Sequence, residues 1–172
     1  MADFPLPFYP VPGNHDSPDG LLREYLQYSG APAPHYSFDY GPVHFTMVDS
    51  HLGEVSAAEL AWLEEDLAAT SQPLKVVCLH HPPFDPDGTD HILYKGNEEF
   101  MALMEKYGVD YVFSGHIHAY LEAQRGETTY IVTGGGGAPL YTSAHPTGAF
   151  YHYVRVTVRD GQLSHEVVRV GE

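Results

Sequence analysis

The chain has 172 residues, 43% of them hydrophobic, which suits one domain (1–172) with a sizeable core, and no apolar run approaches the ~20 residues of a membrane span. A net charge of −15, from 23 acidic and 8 basic residues, leaves no basic patch for a nucleic-acid backbone to follow, so an anionic substrate would need a local positive centre such as bound metal ions. The single Cys78 excludes an internal disulfide and a cysteine-built zinc site; within Val76-Val77-Cys78-Leu79 it reads as a buried core thiol. The opening Met-Ala-Asp-Phe-Pro-Leu-Pro lacks the basic and apolar regions of a signal peptide, so a cytoplasmic chain is expected.

Residues 4–12 are apolar with proline recurring, which predicts a short, irregularly paired strand. It runs into the turn-forming cluster Gly13-Asn14-His15-Asp16. Ser17-Pro18 has the form of a helix start, followed by the stripe Leu21, Leu22, Tyr25 and Leu26 and a stop near Gly30. Two strands, 36–40 and 43–48, flank Gly41-Pro42, and the second ends in Asp49-Ser50-His51. Ser56 and Glu59 form a capping box for a helix to about Thr70, with Leu60, Leu63 and Leu67 inward.

The apolar strand 74–79 leads into His80-His81-Pro82-Pro83, then a loop over 84–94. A helix over about 97–107 carries Phe100, Leu103, Met104 and Tyr107 at helical spacing, with Gly108 as its C-terminal glycine. Val109-Asp110-Tyr111-Val112-Phe113 reads as a buried strand ending at Ser114-Gly115-His116-Ile117-His118. A strand over 129–133 precedes four consecutive glycines, and two final strands, 150–158 and 163–170, meet at the hairpin signal Asp160-Gly161. Strands alternate with helices first and a β-rich tail follows, without repeats or linkers. The fold class is therefore α/β.

Three strand ends carry the same cargo: Gly13-Asn14-His15-Asp16, His80-His81-Pro82-Pro83 and Gly115-His116-Ile117-His118. In open α/β sheets, sites form at the carboxyl ends of strands, and imidazole is the commonest neutral nitrogen ligand for a metal. Each cluster alone is an ordinary turn or strand exit; together they point to one metal site.

In order and spacing these residues resemble the calcineurin-like metallophosphoesterase superfamily. The stretch 36–49, the helix Ala61-Trp62-Leu63-Glu64-Glu65-Asp66-Leu67 and the segment 133–137 look most like its purple-acid-phosphatase and cyclic-nucleotide-phosphodiesterase branches. The resemblance implies the C-terminal portion of a double-β-sheet sandwich flanked by helices, and a metal-dependent hydrolase of phosphomonoesters or phosphodiesters. It implies Fe, Mn or Zn, one or two ions per site, held here by Asn14, His80, His116 and His118, with His81 the second choice beside His80. In the family a hydroxide held by the metals attacks phosphorus in line. His15 takes the role of protonating the leaving oxygen, with Asp16 orienting its imidazole. Asp49 reads either as a carboxylate supporting the ligands or as a solvated turn residue. The loop 84–94 and the segment 134–145 would rim the site, with His91 facing solvent and His145 either touching phosphate or solvent.

The same resemblance implies an Asp-x-His and a Gly-Asp-x-x-Asp motif upstream of Gly13. The twelve residues before Gly13 contain neither, only Asp3 as a possible ligand. The chain thus reads as N-terminally shortened, with four of the family's seven ligands and with apolar faces that association, as a homodimer or larger homo-oligomer, would cover. A catalytically silent association module is the alternative expectation.

Overall fold

The computed structural model describes residues 6–86 and 88–171; Asp3 and the first two residues of the expected opening strand lie outside them. Strands β1 (Tyr36–Tyr40), β2 (Val43–Met47), β3 (Leu74–Cys78), β4 (Tyr111–Ser114), β5 (Tyr120–Arg125) and β6 (Thr128–Thr133) form one sheet in the order β1-β2-β3-β4-β6-β5. The inner strands β2, β3, β4 and β6 are parallel, and β1 and β5 pair antiparallel at the edges. Strands β7 (His152–Arg159) and β8 (Gln162–Arg169) make a separate hairpin. Its turn residues Asp160 and Gly161 have φ of 53° and 75°, the left-handed pair that a two-residue turn matched to strand twist requires.

The inner strands are apolar on both faces, as strands covered on both sides are. On one face Val77 and Val112 share a core with Leu63 and Leu67 of helix α2 (Ala57–Ala69) and with Phe100 and Met104 of helix α3 (Asn97–Tyr107). Gly108, at φ 60°, ends α3 as expected. On the other face Val43, Leu74 and Val76 pack with Phe45, Tyr111 and Phe113, and only Leu163 of the hairpin joins them. The uncovered remainder is an apolar groove of about 470 Å³ lined by Tyr9, Phe38, Met47, Phe113 and Val156 among others. Cys78 borders this groove half-buried instead of lying deep in the core, and desolvation pushes its thiol up to about 12.

Four sequence expectations are revised. Residues 6–12 form no strand: prolines 7, 10 and 12 remove donors, and the Pro10 carbonyl instead accepts Tyr25 and Tyr36 hydroxyls, each at 2.8 Å. Helix α1 spans only Arg23–Tyr28, without a side-chain cap; it buries Tyr25, beside the buried Leu22 that precedes it, and leaves Leu26 exposed, as is Leu21 before the helix. The capping box is half made. Ser56 Oγ accepts the Glu59 N–H at 3.2 Å, but the buried Glu59 carboxylate turns inward to the Asp49 N–H (2.8 Å) and to His35 Nδ1 (2.6 Å). Burial drives that carboxyl upward from the usual carboxylate range, opposed by the Asp49 and His35 bonds. Finally, β5 forms where no strand was expected, because its polar residues suit an exposed edge.

A polar clamp fixes α2 to the sheet: Asp66 accepts the Ser37 and Thr46 hydroxyls and lies 2.9 Å from His44 Nε2, whose Nδ1 is 2.6 Å from Asp39. The parallel register of β2 on β3, Met47 opposite Cys78, sets the carboxyl ends of these strands side by side.

Candidate metal centre

The parallel ladder continues past the strand ends. Val48 N–H donates to the Cys78 carbonyl (2.8 Å), Leu79 N–H to Phe113 (3.0 Å), and Gly115 N–H to His80 (3.0 Å). These bonds bring Ser50, His80, His81 and His116 into one corner. Ser50 Oγ accepts the backbone N–H groups of His80 (3.0 Å) and His81 (3.1 Å), and its carbonyl accepts His81 Nδ1–H (2.7 Å).

His80 Nε2 lies 2.8 Å from Asn14 Oδ1 and 3.2 Å from His116 Nδ1. The ligand atoms of His80, His81 and His116 all fall within 4.8 Å of one another. Asn14 reaches the corner because Gly13 can pass close: a Cβ on Gly13 would sit 2.7 Å from His80 Nδ1. The Asn14–Asp16 turn is closed by Asp16 N–H to the Gly13 carbonyl (3.1 Å) and Gly13 N–H to the Asp16 carboxylate (2.8 Å). His116 holds a left-handed φ of 62°.

Burial, reinforced by the neighbouring imidazoles, pushes His80 down to about 3 and His116 to about 4. His81 is also lowered, first by burial and against the opposing bond to the Ser50 carbonyl. All three rings are neutral near pH 7 and offer lone pairs. A single shared proton can link only two of Asn14 Oδ1, His80 Nε2 and His116 Nδ1. A cation where they meet satisfies all three. Neutral nitrogens with one amide oxygen suit a borderline divalent ion of the Zn, Fe or Mn kind. The donor set therefore fits a metal.

Residues 1–120 match the family model of the calcineurin-like phosphoesterases. The chain belongs to the calcineurin-like phosphoesterase family. It is 35% identical over 118 residues to purple acid phosphatase 15 of Arabidopsis thaliana, covering 60% of this chain and 22% of that protein. It is 28% identical over 131 residues to the 3',5'-cyclic-nucleotide phosphodiesterase alr5338 of Nostoc, covering 72% of this chain and 48% of the relative. Purple acid phosphatase PPD1 from yellow lupin seeds shares the fold with TM-score 0.64 at 23% identity, over 78% of this chain and 30% of that one. The chain thus spans less than half the length of these relatives. Its mixed α/β architecture is that of the metallophosphoesterases.

Within this member of the calcineurin-like phosphoesterase family the sequence-predicted residues divide. Asn14, His80 and His116 converge, and His81 joins them. His118 lies outside that cluster: its Nδ1–H donates to the Pro139 carbonyl at 2.8 Å and its ring leans on Tyr141, 4.7 Å between centroids. His15 is exposed on the turn beside Asn14, and the Asp16 carboxylate faces the Gly13 amide, not the His15 ring. Asp49 closes its own turn, accepting the His51 N–H at 3.0 Å and lying 2.6 Å from His51 Nδ1. His91 is exposed, yet its ring stands edge-on to His116 at 5.7 Å. His145 is buried and does not face solvent. Ser50 escaped the sequence reading; its only signal is its place at the end of the strand beside His80.

Proposed function

We propose that this chain is a metal-dependent phosphoesterase, cleaving phosphomonoesters or phosphodiesters at the corner between Asn14, His80 and His116. The observation that carries the reading is the convergence of the Asn14 amide oxygen, at 2.8 Å, and the neutral His116 Nδ1, at 3.2 Å, on the neutral His80 Nε2. A divalent ion bound there supplies Lewis acidity toward a phosphoryl oxygen and a nucleophile at neutral pH. Asn14, His80 and His116 hold it; His118 is the donor for a second ion. Gly13 and the Asp16 carboxylate fix the turn that aims Asn14 and presents His15. His15 meets the leaving oxygen and gives it a proton.

The open sheet face supports association with a second copy. Its groove is walled by aromatic and aliphatic side chains, a surface that water leaves at a gain of ~25 cal/mol per Å². Covering it in a homodimer or larger assembly is the route by which the site would be completed.

The test is metal content and turnover together. Protein loaded with Mn²⁺, Zn²⁺ or Fe²⁺ should bind at least one ion per chain and hydrolyse p-nitrophenyl phosphate or its bis ester. Less than about half an ion per chain, with no hydrolysis in added Mn²⁺, sinks the reading. His15→Ala should lower kcat by about 10²-fold or more at unchanged metal content, because general acid catalysis contributes ~10²–10⁴. One observation favours a second reading, a silent association module: among the described residues no carboxylate belongs to the histidine cluster. Under that reading, removing metal with a chelator leaves both sedimentation and melting temperature unchanged.

A further inference from the structure

We infer that Glu59 is a positioning residue for the histidine corner: from helix α2 it grips the turn 49–51 and, through Ser50, sets where His80 and His81 stand. Its consequence for metal binding rests on the reading proposed above, and the donor set is unchanged.

The first sign is where the strand ladder stops. Val48 N–H still donates to the Cys78 carbonyl at 2.8 Å, but the pairing of β1 with β2 ends at Tyr36 opposite Met47. Backbone donors inside a protein are nearly always paired, and the Asp49 N–H finds its acceptor in a side chain, Glu59 Oε1, at 2.8 Å. The other carboxylate oxygen lies 2.6 Å from Nδ1 of His35, the residue just before β1. One carboxylate thus bridges the exit of β2 and the entry of β1.

The second sign is what Glu59 gives up. It stands three residues after Ser56, where a glutamate ordinarily turns back to the amide of the capping residue. Its side chain is instead buried, only 9% exposed, where a carboxylate is costly unless it is bonded. Trp62, three residues further along α2, stacks on the His35 ring at 4.0 Å between centroids and 14° between planes. Residues three apart share a helix face, so one face of α2 fixes both the carboxylate and its imidazole partner.

The third sign is what the turn carries. Asp49 is followed by Ser50, whose Oγ accepts the backbone N–H groups of His80 and His81 and whose carbonyl lies 2.7 Å from His81 Nδ1. That carbonyl also accepts the Gly53 N–H at 2.9 Å, and the Asp49 carboxylate accepts the His51 N–H at 3.0 Å. The path from α2 to the corner runs through Glu59, the Asp49 amide and Ser50, and its hydrogen bonds are 2.8–3.1 Å long. Removing a group that supports ligands in this way weakens metal binding ~10–100-fold.

Amide exchange and zinc titration of the full chain test the role. In metal-free protein, Glu59→Ala should speed exchange of the Asp49, His80 and His81 amides ~10-fold or more, as a local opening, while Val77 and Val112 stay within about twofold. It should also weaken Zn²⁺ binding ~10-fold or more. Glu59→Gln, whose amide can accept from Asp49 and donate to His35, should bring both readouts to within about threefold of wild type. If Glu59→Ala does not fold, Glu59→Asp takes its place; it keeps the charge, is one carbon too short to span both partners, and should show the same pattern. Faster exchange spread evenly over the chain would mean a purely structural role and overturns the proposal. So do unchanged His80 and His81 amides, undiminished zinc affinity, or a Glu59→Gln chain as impaired as Glu59→Ala. A wild-type chain that binds no zinc removes the metal reading alone, and the amide pattern then decides whether Glu59 positions the corner.

Discussion

On the proposed function, His80→Ala is expected to give a folded chain that retains no divalent ion at neutral pH and shows no hydrolysis of an aryl phosphate. His80 is the hub of the corner. Its Nε2 is the atom shared by Asn14 and His116, and its backbone is held at both ends, by Ser50 Oγ and by the Gly115 N–H. Structural zinc sites are worth ~10–16 kcal/mol over four ligands. One ligand then carries about 3 kcal/mol, or ~100-fold in affinity. Isothermal titration with Zn²⁺ measures that loss. Retention of wild-type affinity would show that the corner is not where metal binds.

The same substitution changes the acid response of the metal-free protein. The folded pKa values of His80 and His116, about 3 and 4, lie below the ~6.5 of an unfolded histidine. Below pH ~6.5 the unfolded chain takes up protons that the folded chain refuses, so stability falls with pH and stops falling only near the folded values. His80→Ala removes one of these groups. Its melting temperature should therefore decline less steeply than wild type between pH 6.5 and 4.

Gly134→Ala is expected to be among the most damaging single methyl additions in the chain. A Cβ at Gly134 would sit 1.9 Å from the Ile117 carbonyl oxygen and 3.1 Å from His118 Cα. Both obstacles are backbone, so no rotamer change relieves them, and Gly134 N–H is itself tied to the Ala119 carbonyl at 3.0 Å. The clash displaces the 115–119 turn that carries His116. A cost of about 4 kcal/mol is expected, seen as a melting temperature ~10 °C lower, with weakened metal binding. Gly136→Ala is the control: nothing lies within 4 Å of its added Cβ, so it should melt within about 2 °C of wild type. Equal behaviour of the two variants would mean that the 115–119 turn does not pack against Gly134.

Much of this arrangement is legible in the residues themselves. β3 and β4 announce themselves as apolar runs because parallel inner strands are covered on both faces, and their polar exits mark the site by the rule that strand carboxyl ends face the ligand. The Asp160-Gly161 hairpin follows from left-handed tolerance alone. What the residues conceal depends on three-dimensional neighbours. Glu59 sits at the capping-box position, yet the Asp49 amide and His35 compete for it and win. Ser50 becomes important only because β2 lies beside β3. The spacing of His116 and His118 suggests two side chains aimed alike, as on an extended strand, and the left-handed residue between Gly115 and Ile117 breaks that rule.

That left-handed histidine bears on the motion of the loop. A non-glycine residue in this conformation carries a penalty of roughly 1–2 kcal/mol, which the buried Ile117 and the Gly134–Ala119 bond help to offset. An ion held through the His116 ring, as proposed, would be coupled to the backbone of residues 115–119. Its lifetime would then depend on how often that turn opens as well as on the strength of its bonds to nitrogen. A ligand mounted on a relaxed strand would lack that coupling.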